Sequence, residues 1–328
     1  MSVTSNFRLP KTIWNLPPMS RSRDYDSEEY LAPEPSRSGN TGRSEETDTP
    51  ELGRASSGSA AGADSTRREE YDRLSRNTDR QVHQDRDRTY LLRESEVAAL
   101  LEIGKFRTVQ TTDLVEILYQ GNAERAVRDL RNLKAQGLIE RRTLSGTEKD
   151  QLLTISRAAK EFLEHANPDR LRAGQALHYG FVKPREARHD AMIYRLYETA
   201  AQKIEREGGT KLRVVLDYEL KRQLYRELAQ VKSLPPAEQD SRREEVAKAH
   251  GLKVVNGKIP LPDLRIEYET RDHEQARFDL ELATKDYRAS HLAEKGKAGF
   301  SVYAPASDAD RVRAAVQDPH LISEILSL

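Results

Sequence analysis

The chain has 328 residues, a third of them charged, with 54 basic and 54 acidic side chains and no cysteine. That balance excludes a global attraction to polyanions, so any nucleic-acid footprint must be local, and the lack of cysteine excludes disulfide scaffolds and thiolate zinc sites. The length suggests two domains plus extras; no stretch is apolar enough to cross a bilayer and the N-terminus lacks a signal-peptide core, so the expected location is a reducing cytoplasm without membrane contact.

Residues 1–88 read as a disordered tail. Between Pro35 and Val82 the only large aliphatic side chains are Leu52 and Leu74, too little apolar surface to offset the entropy of ordering the segment. The apolar cluster Phe7-Arg8-Leu9-Pro10 with Ile13 and Trp14 is either a docking motif for a protein partner or an unstructured terminus that happens to hold an aromatic.

Residues 89–170 read as a winged helix-turn-helix. Ser95 is placed to cap a first helix through Val97, Leu100, Leu101 and Ile103, with Gly104 at its end. A second short helix follows Thr112 with Leu114, Val115 and Leu118, and Gly121 punctuates the turn. In the third helix, Ala123 to Gln136, a turn of about 100° per residue puts Ala126, Val127, Leu130 and Leu133 on one side and Arg125, Arg128, Arg131 and Asn132 on the other. Gly137 stops it. A strand through Arg141 and Arg142, a polar turn at 145–150 and a return strand from Gln151 to Ile155 make the wing, and a helix over Ser156–His165 follows. A recognition helix that faces outward with arginines, followed by a basic hairpin, is how such modules meet duplex DNA. From Ala123 to Arg142 the basic residues are Arg125, Arg128, Arg131, Lys134, Arg141 and Arg142; Glu124, Asp129 and Glu140 oppose them, an excess of three (six minus three). A partner-binding or dimerisation module is the alternative use of the same elements, and a homodimer is compatible with either.

Residues 184–328 read as a second, α/β domain. Pro184 opens a long helix with Ile193, Leu196, Tyr197, Ala200 and Ile204 in one stripe. Lys211 to Leu220 alternates as a strand, and 221–250, broken at Pro235-Pro236, reads as a helical insertion. Val254 to Ile259 contains the hairpin dipeptide Asn256-Gly257. Strands Leu264–Glu269 and Arg277–Leu282, a helix from Asp286 to Lys295, a strand Phe300–Tyr303 and a last helix with Val312, Val316 and Ile322 complete it.

The candidate chemistry lies on those strands. Pro262-Asp263 begins one strand, and Asp279 and Glu281 share the polar face of the next. In the PD-(D/E)XK pattern such acids hold a divalent metal and a lysine two positions on helps activate water. Here that lysine is missing: Glu281 follows Asp279, Ala283 follows Glu281, and Lys285 is the nearest substitute. Asp263, Asp279 and Glu281 are thus the candidate metal ligands and, with Lys285, the candidate catalytic set; the alternative is a half-exposed strand with acids on its wet face. His189-Asp190 shares a helical face with Ile193 and Leu196, which favours a buried, hydrogen-bonded histidine. The sequence contains no phosphate-binding glycine loop, HExxH or His-x-His pair.

On Ala126-Val127-Arg128-Asp129-Leu130-Arg131-Asn132-Leu133-Lys134-Ala135-Gln136-Gly137-Leu138-Ile139, on Leu153-Thr154-Ile155 entering a helix, on His189-Asp190 and on Pro262-Asp263 with Asp279 and Glu281, the chain resembles the replication-relaxation family of plasmid and mobile-element proteins. The resemblance spans residues 89–328. It implies an α+β protein overall, a winged helix followed by a restriction-endonuclease-like α/β domain, that binds double-stranded DNA in replication, mobilisation or transcription control. The missing lysine points to a degenerate nuclease site and no cofactor. A Mg²⁺-dependent endonuclease directed by the winged helix is the enzymatic alternative, and a protein-binding assembly factor the third.

Overall fold

The computed structural model describes residues 79–143, 151–166, 168–181, 184–284, 288–315 and 326–327. The tail cluster at Phe7–Trp14, the turn at 145–150, Lys285, Val316 and Ile322 lie outside the described residues. Within them the chain is a mixed α/β protein, and no helix is long and apolar enough to cross a membrane.

Ordered structure begins inside the segment read as tail. Strands β1 (Gln81–Asp85) and β2 (Arg88–Leu92) form an antiparallel hairpin. Only β2 is apolar, and its Tyr90 and Leu92 are buried. Tyr90 and His83 both meet the Phe162 ring edge-on, at centroid distances of 5.3 and 5.7 Å. The pairing therefore draws on a distant helix, which composition within residues 1–88 could not disclose.

Next come α1 (Glu94–Lys105), β3 (Val109–Gln110), α2 (Thr111–Ile117), α3 (Ala123–Ala135), β4 (Ile139–Thr143), β5 (Gln151–Ile155) and α4 (Arg157–Ala166). The three strands make an antiparallel sheet in the order β3-β5-β4, with Ile139 opposite Ile155 and Thr143 opposite Gln151. Ser95 does not cap α1. The cap is Arg93, whose amide donates to the Glu96 carboxylate at 2.7 Å. Ser95 lies inside the helix, and its hydroxyl donates instead to Asp129 of α3 at 2.6 Å. Gly104 is likewise a packing residue: α1 continues to Lys105, and a Cβ at 104 would come within 3.0 Å of Ile155 and 3.1 Å of Leu177.

The connection 171–181 is stitched at several points. The His178 amide donates to Gly104 O (2.8 Å), and the Gly180 amide to Ile155 O (3.1 Å). The Gln175 carboxamide both accepts from and donates to the Val214 backbone, at 2.9 and 3.1 Å, occupying the free edge of β6.

Beyond it run α5 (Pro184–Arg206), β6 (Thr210–Leu216), α6 (Asp217–Val231), α7 (Pro236–Ala249), β7 (Leu264–Glu269), β8 (Gln275–Leu282), α8 (Ala289–Ala298), β9 (Ser301–Ala304), α9 (Ala306–Ala315) and β10 (Leu326–Ser327). The sheet order is β10-β9-β8-β7-β6; β6, β7 and β8 are antiparallel neighbours, whereas β8-β9 and β9-β10 are parallel. The alternation read through Leu220 stops at Leu216. Asp217 and Glu219 suit the first turn of a helix, and the Glu219 carboxylate accepts from the Leu216 amide at 3.2 Å, so the chain turns into α6. Asn256 and Gly257 both adopt positive φ, 52° and 73°, in the tight turn closed by Val255 and Lys258.

One apolar cluster runs from Tyr90 through α1, α3 and β5 into α5 and the sheet strands β6–β9. Phe106 sits at its centre, with centroids 5.1 Å from Tyr194 and 5.3 Å from Tyr197 of α5. Arg195 of α5 adds ion pairs to Asp113 and Glu116 of α2 at 2.5 and 3.1 Å. The N-terminal helices and the five-stranded sheet are therefore packed through a common core.

Candidate functional site

Two charged regions stand out, of opposite kinds. The first is α3. Asn122 caps it, its Oδ1 accepting from the Arg125 amide at 3.1 Å. The helix is rotated from the face that periodicity assigns. Val127 is 51% exposed, not packed, whereas Arg125 is buried at 8% exposure. Asp129 causes this: it is fully buried, yet Ser95 and Arg93 satisfy its carboxylate at 2.6 and 3.1 Å, so a polar residue takes a core-facing position. Asn132 is also withdrawn, its amide donating to Leu91 O at 3.2 Å, where Gln136 binds the same β2 residue.

Of the four residues read as the outward face, Arg128 and Arg131 are exposed and Arg125 and Asn132 are not. Lys134 and Val127 complete the true outer face. None of Arg128, Arg131 or Lys134 has an acidic partner among the described residues. On β4, Arg141 is half-buried; burial and the nearby Arg131 guanidinium both push its pKa down, and its Nε has no hydrogen-bond partner. Arg142 is exposed and stacks on the Phe181 ring, 4.5 Å from its centroid.

The second region is a buried cluster at the C-terminal end of β6 and the N-terminal end of β7. Asp263 directly precedes β7, and its Oδ2 accepts from the Leu282 amide at 2.9 Å and faces His189 Nε2 at 3.5 Å. Continuing the β7–β8 register puts it beside Glu281, which is fully buried. Lys295 of α8 closes the group, its Nζ 2.9 Å from Glu281 and donating to Leu261 O at 2.6 Å. Although burial opposes it, His189, Lys295 and the Leu282 amide hold the Asp263 carboxyl well below the usual range. Lys295 is also buried, but Glu281 and Asp263 raise its pKa. Asp217, at the start of α6, is pushed up to about 6 by burial and by Asp263 and Asp190. Arg107, from the α1–β3 connection, reaches Asp190 at 3.6 Å and lies over the Tyr218 ring at 4.7 Å. Tyr218 in turn bonds His178, whose pKa burial lowers.

Asp279 does not join this group. Directly opposite Arg265 on β7, it forms a two-pronged pair at 2.6 and 2.8 Å, and Arg265 also donates to His250 O at 2.7 Å. It anchors the end of α7 to the sheet. The expected convergence of Asp263, Asp279 and Glu281 is thus reduced to Asp263 and Glu281. Among the described residues no trio of His, Asp or Glu is arranged to hold a metal ion; the oxygen-only chemistry of two neighbouring carboxylates suits Mg²⁺, which keeps waters for its other positions. Lys295 was missed because reading along one strand cannot find a lysine supplied by the following helix. The signal available was its place on α8, whose Leu292 is buried against the sheet. In comparisons with protein-family models, curated proteins and solved structures, none matches the chain.

Proposed function

We propose that this chain is a sequence-selective double-stranded DNA-binding protein, with a winged helix-turn-helix over 89–170 and a restriction-endonuclease-like domain over 184–328. The observation that carries the reading is the unpaired cationic face of α3: Arg128, Arg131 and Lys134, with Arg141 crowded against Arg131 on the adjoining strand. Phosphates relieve such like-charge crowding, and Val127 on the same face offers an apolar contact for a thymine methyl group. The resemblance described above extends the proposal to replication, mobilisation or transcription control of a plasmid or mobile element. The test is selection of duplexes from a random pool, followed by binding across a salt series. Enrichment of a common sequence with salt-sensitive affinity supports the proposal; no duplex binding at low salt refutes it and leaves the module as a protein-binding one.

A second reading, a metal-dependent DNA endonuclease, is favoured by Lys295. Lys295 of α8 would provide the cation that the strand lacks. Asp263 and Glu281 would hold Mg²⁺, which lowers the pKa of bound water and offsets phosphate charge. Plasmid cleavage with Mg²⁺ that is lost in Asp263→Ala and Lys295→Met establishes this reading; intact plasmid refutes it.

A further inference from the structure

Helix α6 leaves the acidic cluster at Asp217 and exposes a basic face with an aromatic ring. Leu220 and Leu224 are buried beneath it, at 3% and 1% exposure. Lys221, Arg222, Tyr225 and Arg226 occupy the outer side, with Arg222, Tyr225 and Arg226 exposed and Lys221 partly so. Tyr225 is 52% exposed and Lys221 Nζ lies 5.6 Å from its ring centroid. Arg222 and Arg226 have no acidic partner among the described residues. The neighbouring α7 is equally charged but neutralises itself, Arg242 with Glu245 at 2.7 Å and Arg243 with Asp240 at 2.6 Å. Paired charges solvate a helix; Arg222 and Arg226, which have no acidic partner among the described residues, beside a half-exposed aromatic ring are poised for an anion that carries flat rings.

We propose that this face of α6 binds a single strand of DNA, Tyr225 stacking on a base while Lys221, Arg222 and Arg226 contact phosphates. Asp217, Lys221 and Tyr225 follow one another at intervals of four residues, so one stripe runs from the acidic cluster outward along the helix. Stacking requires a base released from its pair, which distinguishes this surface from the duplex face of α3. The inference rests on the reading of the chain as a DNA-binding protein but uses a different surface.

The experiment is fluorescence anisotropy of the full-length protein with a labelled oligothymidylate, which cannot pair with itself, and separately with a duplex. Tyr225→Ala should weaken oligothymidylate binding roughly 5- to 150-fold, the range for loss of one stacked base, whereas Tyr225→Phe should retain it. Arg222→Glu with Arg226→Glu should weaken it further and flatten its salt dependence. Arg128→Ala with Arg131→Ala should leave it unchanged while reducing duplex binding. Failure of the native protein to bind oligothymidylate at low salt overturns the proposal, as does native-like binding by Tyr225→Ala and the double glutamate variant. Failure of the native protein to bind the duplex while it binds oligothymidylate would refute the α3 reading alone.

Discussion

The outer face of α3 and the cluster around Asp263 use charge in opposite ways. On α3, Arg128, Arg131 and Lys134 are exposed and have no acidic partner among the described residues. In the cluster, two of the acids are bound to the protein's own donors: Glu281 to Lys295, Asp263 to His189 and the Leu282 amide. Exposed unpaired charge costs the fold little and is available to a ligand. Buried paired charge is part of the fold, because either member left alone would be an ion in an apolar medium. Substitutions should therefore move stability in one region and affinity in the other.

The largest effect is expected at the pair outside both sites. Asp279→Ala leaves Arg265, whose side chain is 4% exposed, without its carboxylate, and should cost about 3–5 kcal/mol of unfolding free energy. Urea denaturation measures it; a loss under about 1 kcal/mol would mean that water reaches Arg265 and that the pair is not structural. Next is Ser95→Ala, which removes the hydroxyl donor to buried Asp129 and should cost about 1–3 kcal/mol. Because Asp129 sets the rotation of α3, this variant should also weaken duplex binding, although Ser95 is itself buried.

Arg128→Ala sharpens the comparison from the other side. Its stability should stay within about 0.5 kcal/mol of the native protein. Its duplex affinity should fall by about 1–3 kcal/mol if it reads a base, with relaxed preference at that position. If it contacts only phosphate, all sequences should weaken alike and the salt slope should drop by about one. Equal affinity to the native protein on every duplex would remove Arg128 from the interface.

Much of this arrangement was legible along the chain, because helices with apolar stripes and strands bounded by glycine or proline announce themselves locally. The helices α1 to α4, the β4–β5 pair and the strands β7, β8 and β9 are of that kind. What escaped depends on partners far away in sequence. Tyr90 and Leu92 make a strand because Phe162 waits for them; Val127 faces out because Ser95 and Arg93 make Asp129 acceptable inside; and Asp279 leaves the candidate site because Arg265 lies opposite. Lys295 escaped for the same reason. A residue's chemical type suggested each role, but only its partners decided it.

The smallest expected effect tests the cluster where its compensation is incomplete. The Asp217 carboxyl is raised from its ordinary 3.8 to about 6 by burial, Asp263 and Asp190. Below pH 4 it is protonated in both folded and unfolded chains and costs nothing. Between pH 4 and 6 the unfolded chain loses its proton first, so folding stability falls as pH rises; above pH 6 both states are ionised and the penalty is constant. Asp217→Asn cannot ionise. It should melt with the native protein near pH 4 and be more stable above pH 6, by about 1–2 kcal/mol once partial solvent screening is allowed for. Thermal melts of both proteins from pH 4 to 7.5 measure the difference, and parallel curves would refute the placement of Asp217 among the acids. Repeating the melts with millimolar Mg²⁺ separates the two readings of the domain. A cation bound by Asp263 and Glu281 would relieve Asp217 and shrink the difference, as the endonuclease requires, whereas an unchanged difference leaves the protein's own Lys295, His189 and Arg107 as counterions and the domain as a scaffold for binding.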